Sequence, residues 1–296
     1  MQYSQFSELS PVARSFNAAR LKFMTTMDNS RSKKKNLVMY HVENAGLNDH
    51  SLQLTLNNVK VFVASILHHN ATSEQDAFYW FNIADIATNP AAALIPTHLP
   101  NVAIVEWSVS FESMYYFLQT ARLLGSEAIT RVDAVFSLCS GVRGPLVHFR
   151  DASWITEFRS VLDRNNVGLV GPAISCSGTP HVLPYAFAIR PEIVPTLRVV
   201  DFNPTDEHYL QRLSGLVRAA EYTVGSISHA RKDPADVFFA GACDKNRNSK
   251  TDTAVDLTYR IPSFGIRMRF RPTDFTQVNH MINDAMISRA VSLLDL

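Results

Sequence analysis

Five short, nearly uninterrupted apolar runs limit what this chain can fold into: Asn36–Val42 (NLVMYHV), Ala77–Ile86 (AFYWFNIADI), Val102–Trp107 (VAIVEW), Val132–Leu138 (VDAVFSL) and Val167–Ile174 (VGLVGPAI). Runs of this length suit strands covered on both faces. Helical stretches are expected at Trp154–Leu162 and at Phe111–Leu124, with Phe111, Met114, Tyr115 and Leu118 on one face, while Gln53–Leu67 reads as either a helix or strands, the helix favoured. Strand–helix alternation implies an α/β fold, a mainly parallel central sheet flanked by helices. Asn89–Pro100 reads as a loop. Further on, His181–Ile189 reads as a strand, Pro191–Leu197 as a helix start with proline in its first turn, and Tyr209–Ala230 as one long helix. After a polar loop at Lys245–Thr253 come strands at Ala254–Tyr259 and Gly265–Phe270. An amphipathic helix over Phe275–Leu294 follows, with Val278, Met281, Ile282, Ala285 and Met286 inward. There is no internal repeat.

The chain has 296 residues, 46% apolar and 19% charged, with net charge +1. Such a balance gives no global pull toward nucleic acid or anionic membrane, so protein partners are expected rather than direct nucleic-acid binding. Cys139, Cys176 and Cys243 form no CxxC pair and are odd in number. A zinc site and a disulfide framework are therefore not expected, and the compartment reads as intracellular and reducing. No run of about 18 apolar residues predicts a membrane span, and no apolar stretch after Met1 predicts a secretory signal.

Residues 1–35 differ in character. Arg14, Arg20, Lys22, Arg31, Lys33, Lys34 and Lys35 stand against only Glu8 and Asp28, and Val12, Phe16, Ala19 and Phe23 form one helical stripe. Two readings stay open: a mitochondrial-type targeting segment, which would place the protein in the matrix, or a solvent-exposed basic arm on a cytoplasmic protein. The domain division that follows is 1–35, a central domain over 36–244, and a C-terminal extension over 245–296.

The motifs for a phosphate loop (GxxxxGK[ST]), dinucleotide turn (GxGxxG), hydrolase elbow (GxSxG) and zincin (HExxH) are absent. His68-His69 reads as surface loop, since chain neighbours rarely converge on one metal. Arg267, Arg269 and Arg271 alternate with Ile266, Met268 and Phe270. Period two puts them on one strand face, either as an anion contact or as the charged wet face of an edge strand.

Four segments, in order, resemble the GT-A-like glycosyltransferase family that includes the rhamnan-synthesis type proteins. SGVRGPLVHF with SWITEF resembles a strand that ends in Asn/Asp-Ser-Val-Arg-Gly-Pro with a Trp-Thr beyond, matched by Val142, Arg143, Gly144, Pro145 and Trp154. Asn166–Cys176 (NVGLVGPAISC) is similar to a Val-x-Leu-Val-Gly-x-x-Ile-x-Cys strand. Pro180–Ile189 (PHVLPYAFAI) is similar to Pro-His-Val with a following Phe-Ala, and Glu221–Ala230 (EYTVGSISHA) to a Glu-x-x-x-x-Ser helix.

The resemblance implies a Rossmann-like GT-A type sheet that holds a nucleotide sugar at its strand ends, usually with a divalent metal on a short acidic motif after a central strand. This chain departs there. The family's Asn is Cys139, its second polar residue is Gly141, and its upstream Asp falls on Ser110 within Glu106–Met114, where the glycines are gone. A thiol is a poor ligand for a hard cation. The expectation is a glycosyltransferase-like protein that has lost catalysis and acts as a structural or accessory subunit of a larger assembly, with no metal and no cofactor. Two alternatives are carried. One is an active, metal-independent glycosyltransferase using a nucleotide sugar, with Glu221 as general base and Arg143 on the diphosphate. The other is a nucleotide- or sugar-binding module without turnover. Binding residues, vestigial or working, would be Arg143, Trp154, His181 and Ser110.

Overall fold

The apolar runs become strands that pair side by side. In a computed structural model, which describes residues 11–28, 35–42, 49–72, 76–142, 154–164, 166–172, 174–175, 180–183, 185–197, 209–227, 257–261 and 266–270, the elements follow in order. They are α1 (Pro11–Asp28), β1 (Lys35–Val42), α2 (Asp49–Thr72), β2 (Ala77–Ala84), β3 (Val102–Trp107), α3 (Ser113–Ile129), β4 (Val132–Cys139), α4 (Trp154–Leu162), β5 (Val167–Gly171), β6 (Ile174–Ser175), β7 (His181–Val182), β8 (Ala186–Ile189), α5 (Tyr209–Ala219), β9 (Thr223–Ser226), β10 (Leu257–Ile261) and β11 (Ile266–Phe270). Among the described residues no helix is long and apolar enough to cross a membrane.

Seven strands form one sheet in the order β3-β2-β1-β4-β8-β5-β9. All pairings are parallel except those of β8, which runs antiparallel to both β4 and β5. The fold is thus α/β and Rossmann-like, with helices on both faces. Strand order steps outward from β1 through β2 to β3, then returns to the other side of β1 with β4. The carboxyl ends of β1 and β4 therefore flank the point where the topology reverses, the usual position of a ligand crevice in open α/β sheets.

Period two sorts the side chains. Val38, Tyr40 and Val42 of β1, Tyr79, Phe81 and Ile83 of β2, and Ala134, Phe136 and Leu138 of β4 join one core with Val59, Phe62 and Ile66 of α2 and Trp154, Ile155 and Phe158 of α4. Stacked Tyr40 and Phe62 (4.1 Å between centroids) and edge-on Phe136 and Trp154 (5.4 Å) fill it. The other face carries α1 and α3, with Phe117 edge-on to Phe187. α3 is broken at Gly125, whose φ of 78° only glycine adopts without strain.

Several sequence readings change. His68 and His69 lie within helix α2 rather than in a loop. Residues 11–28 are no exposed arm: Phe16, Ala19 and Phe23 are buried, with Phe16 against Trp80 and Phe23 against Phe78, both at 5.2 Å. Tyr209–Ala230 is not one helix, because α5 stops at Ala219 and β9 begins at Thr223, whose β-branched side chain with that of Val224 suits a strand. Pro191–Leu197 yields only a single 3₁₀ turn, Val194–Thr196. His181–Ile189 divides into β7 and β8. Arg143–Pro145, Lys245–Thr253, Arg271, Cys176, Cys243 and Phe275–Leu294 lie outside the described residues.

The chain divides into two compact units, 1–173 with 181–240, and 174–180 with 241–296. In the second, β10 and β11 pair antiparallel from Leu257 opposite Phe270 to Ile261 opposite Ile266. In the first, Gly168 of β5 leaves no room for a side chain: a Cβ there would lie 2.6 Å from Tyr222 Cβ and 2.5 Å from Ile193 Cδ1. Gly168→Ala is therefore expected to cost about 1–3 kcal/mol through forced backbone movement, read as a lower urea midpoint with an unchanged slope.

Candidate functional site

The carboxyl ends of β1 and β4 are tied together. Ser140, one residue past β4, donates its N–H to the His41 carbonyl at 2.9 Å. Its own carbonyl accepts Asn58 Nδ2 from α2 at 2.8 Å. On the other side of β4, the Cys139 N–H reaches the Tyr185 carbonyl at 3.1 Å, so the chain entering β8 lies at the same edge. Burial, and then the neighbouring Cys139, push the Tyr185 phenol above its ordinary value. Asn58 and Ser140 are buried to 2% and 1% exposure. Asn58 Oδ1 has no hydrogen-bond partner, nor has Trp154 Nε1, the first residue of α4.

The donors at the end of β4 do not fit a hard divalent cation. Among the described residues they are a buried thiol, a serine hydroxyl on a residue whose N–H and C=O are both engaged, and a glycine.

Below this edge, on the α3 face, lies a polar network that crosses four strands and was not expected from the sequence. Asn82 Oδ1 of β2 accepts Trp107 Nε1 (2.9 Å), Thr120 Oγ1 (3.0 Å) and Trp80 Nε1 (3.2 Å). Three donors on that oxygen fix the amide, so Nδ2 donates to His41 Nδ1 at 3.1 Å. His41 is then the Nε2–H tautomer and donates to Ser137 Oγ at 3.0 Å. Asn82, His41, Thr120 and Ser137 are all 0% exposed, and the His41 ring stacks on Tyr116 at 5.8 Å. One signal could have found it: single polar residues at 41, 82 and 137 inside strands otherwise apolar on both faces must find partners.

Burial lowers the His41 pKa from 6.5 to about 3. The unfolded chain takes up a proton below about pH 6.5 that the folded protein refuses until about pH 3. This group's contribution is complete above pH 6.5 and is lost as pH falls through that window, roughly tenfold in folding equilibrium per pH unit. Denaturant midpoints at pH 7, 5.5 and 4 are expected to fall, and the fall should flatten when His41 is replaced by glutamine.

Of the residues singled out from the sequence, the described ones lie on different elements. Trp154 is buried at the carboxyl edge, 5% exposed, packed among Phe62, Phe136 and Phe158. His181 is buried in β7, whose next residue Val182 donates its N–H to Ser214 Oγ of α5 at 2.9 Å. Ser110 is exposed in the loop after the outermost strand, β3. Glu221 is exposed in the turn before β9, with φ 66°, and its carbonyl accepts Asn166 Nδ2 at 2.9 Å. β9 runs parallel to β5, and both run with β4. Glu221 therefore lies at the amino edge of the sheet, across from Cys139 and Ser140. The sequence reading of Glu221 as a helical base facing the cleft is corrected on both counts.

No family model matches the chain. Among curated proteins, about 40 residues are similar to the 23S rRNA (uracil(1939)-C(5))-methyltransferase RlmD of Bordetella pertussis (68% identity) and of Cupriavidus necator (65%). Each match covers 14% of this chain and 9% of the relative. The chain thus spans less than a tenth of the length of the curated relatives it matches. Among solved structures, 4-diphosphocytidyl-2C-methyl-D-erythritol synthase from Anaerococcus prevotii aligns with TM-score 0.36 and 12% identity, over 64% of this chain and 84% of that one. A cytidylyltransferase from Leptospira borgpetersenii aligns with TM-score 0.35 and 9% identity, over 64% and 73%. At these scores neither alignment carries an argument about activity.

Proposed function

We propose that the protein is a glycosyltransferase-like domain without turnover that serves as an accessory subunit of a protein assembly. The observation that carries this reading is the closed backbone at the topological switch. The Ser140 N–H is committed to His41 and its carbonyl to Asn58, so the residue after β4 offers no free main-chain donor to a diphosphate. Glu221, the carboxylate named for an active enzyme, lies at the opposite edge of the sheet and cannot serve that crevice.

Calorimetry with nucleotide sugars and manganese tests the reading, together with an assay for sugar transfer or donor hydrolysis. The expected result is no metal-dependent binding in the micromolar range and no turnover, while protein purified at its native level brings stable protein partners with it. Metal-dependent micromolar binding or measurable transfer would overturn it. A second reading, a ligand-binding module without turnover, is favoured by the buried, unpartnered Asn58 Oδ1. It is compatible with an accessory role.

A further inference from the structure

The inner face of α2 changes character along its length. From Val59 onward it carries Val59, Phe62, Val63 and Ile66, all buried and apolar, in one core with Tyr79, Phe81 and Trp154. Among the described residues before Val59, only Thr55 and Asn58 are buried, both polar, while Leu52, Leu54 and Leu56 are half-buried. Burial of apolar surface therefore holds the second half of α2 far more than the first. The first half is fixed at its end by a polar contact: Asn58 Nδ2 donates to the Ser140 carbonyl at 2.8 Å, just past β4. Oδ1 of the same amide is buried without a partner, which is costly. Thr55, Asn57 and Asn58 are also poor helix formers, set where the two halves meet.

We propose that residues 49–57 are a lid over the carboxyl end of β4 and that Asn58 is its two-way latch. In the closed form Asn58 donates to Ser140 and its Oδ1 goes unpaired. In the open form residues 49–57 unwind, and the remaining helix starts at Val59. Asn58 then stands just before the first helical residue, where asparagine is among the preferred residues. There its Oδ1 accepts the freed N–H of Lys60 or Val61. The atom orphaned in one form is the one used in the other. Phe62, stacked on Tyr40 at 4.1 Å, keeps the second half in place. Opening releases the Ser140 carbonyl and uncovers the switch point between β1 and β4. The Ser140 N–H stays on His41 in both forms, so opening adds no main-chain donor for a diphosphate.

Amide hydrogen exchange on the full chain, followed residue by residue by NMR and corrected for intrinsic rates, tests the lid without any ligand. In the wild-type protein, amides 54–61 should exchange on the order of a hundredfold faster than amides 62–66. The step should fall at Phe62, the first residue whose N–H still reaches the Asn58 carbonyl. Exchange of the fast segment should depend little on low urea concentrations, because its opening exposes little surface. Asn58→Ala removes latch and cap, whereas Asn58→Ser removes the latch and keeps a capping oxygen. Both loosen the closed form, so exchange rises along the whole helix, and the ratio of the two segments isolates the open form. That ratio should be about fivefold larger in Asn58→Ser than in Asn58→Ala. Even protection along α2 in the wild-type protein overturns the proposal, whether or not the variants fold. A ratio that is the same in the two variants overturns it as well, and leaves Asn58 a packing residue of a rigid helix.

Discussion

Replacing Asn82 with leucine is expected to leave the protein mostly unfolded near physiological temperature. The substitution keeps volume but removes the acceptor for two indole N–H groups and one hydroxyl, and the donor to His41 Nδ1. Each group is sealed from water, and each unmade bond costs about 1–3 kcal/mol. The sum, on the order of 4 kcal/mol or more, is comparable with the whole stability of an ordinary domain. Urea unfolding gives the magnitude, and near-ultraviolet circular dichroism reports the loss of fixed environments around Trp80 and Trp107. Coupling gives a sharper check. Adding His41→Leu to Asn82→Leu removes a group already orphaned, so the double variant should lose less than the two single losses added together. Additive losses would mean that the two side chains do not form one network.

The sheet was legible because its strands are apolar on both faces, and such runs have few other stable uses. β1, β2, β3 and β4 fall where NLVMYHV, AFYWFNIADI, VAIVEW and VDAVFSL read as strands. What stayed hidden depended on tertiary context. EYTVGS scans as the continuation of a helix until the left-handed turn at Glu221 redirects it beside β5. The candidate base went astray for the same reason, since its position relative to the crevice depends on strand direction, which no local pattern encodes. Asn58 was hidden differently. Within QLTLNNVKVFV it looks like any polar helix residue, and only its approach to Ser140, 82 positions later, gives it meaning. Trp154 was named from the sequence and is buried at the carboxyl edge, but its unpartnered indole N–H is a fact of packing alone.

Deleting residues 1–28 is expected to unfold the first unit rather than trim it. The basic composition of this segment suggested a separable piece, but its apolar stripe is buried against the sheet. Phe16 covers Trp80, Phe23 meets the edge of Phe78, and all four rings are 5% exposed or less. Polar contacts fix the register of α1: the Glu106 N–H donates to Ser15 Oγ at 3.1 Å, Lys22 Nζ donates to the Thr97 carbonyl at 2.9 Å, and Thr26 Oγ1 to that of Pro100 at 3.3 Å. Phe23→Ala alone should cost about 3–5 kcal/mol by leaving a ring-sized cavity. Leu21→Ala, on the outward face at 70% exposure, should stay within about 0.5 kcal/mol. Truncation exposes all of that aromatic surface at once, so the shortened chain should bind a hydrophobic dye and lose its cooperative melt. A truncated protein that still melts cooperatively within a few degrees of the full chain would show that α1 is dispensable to the core. The basic segment would then be the separable arm its composition suggests.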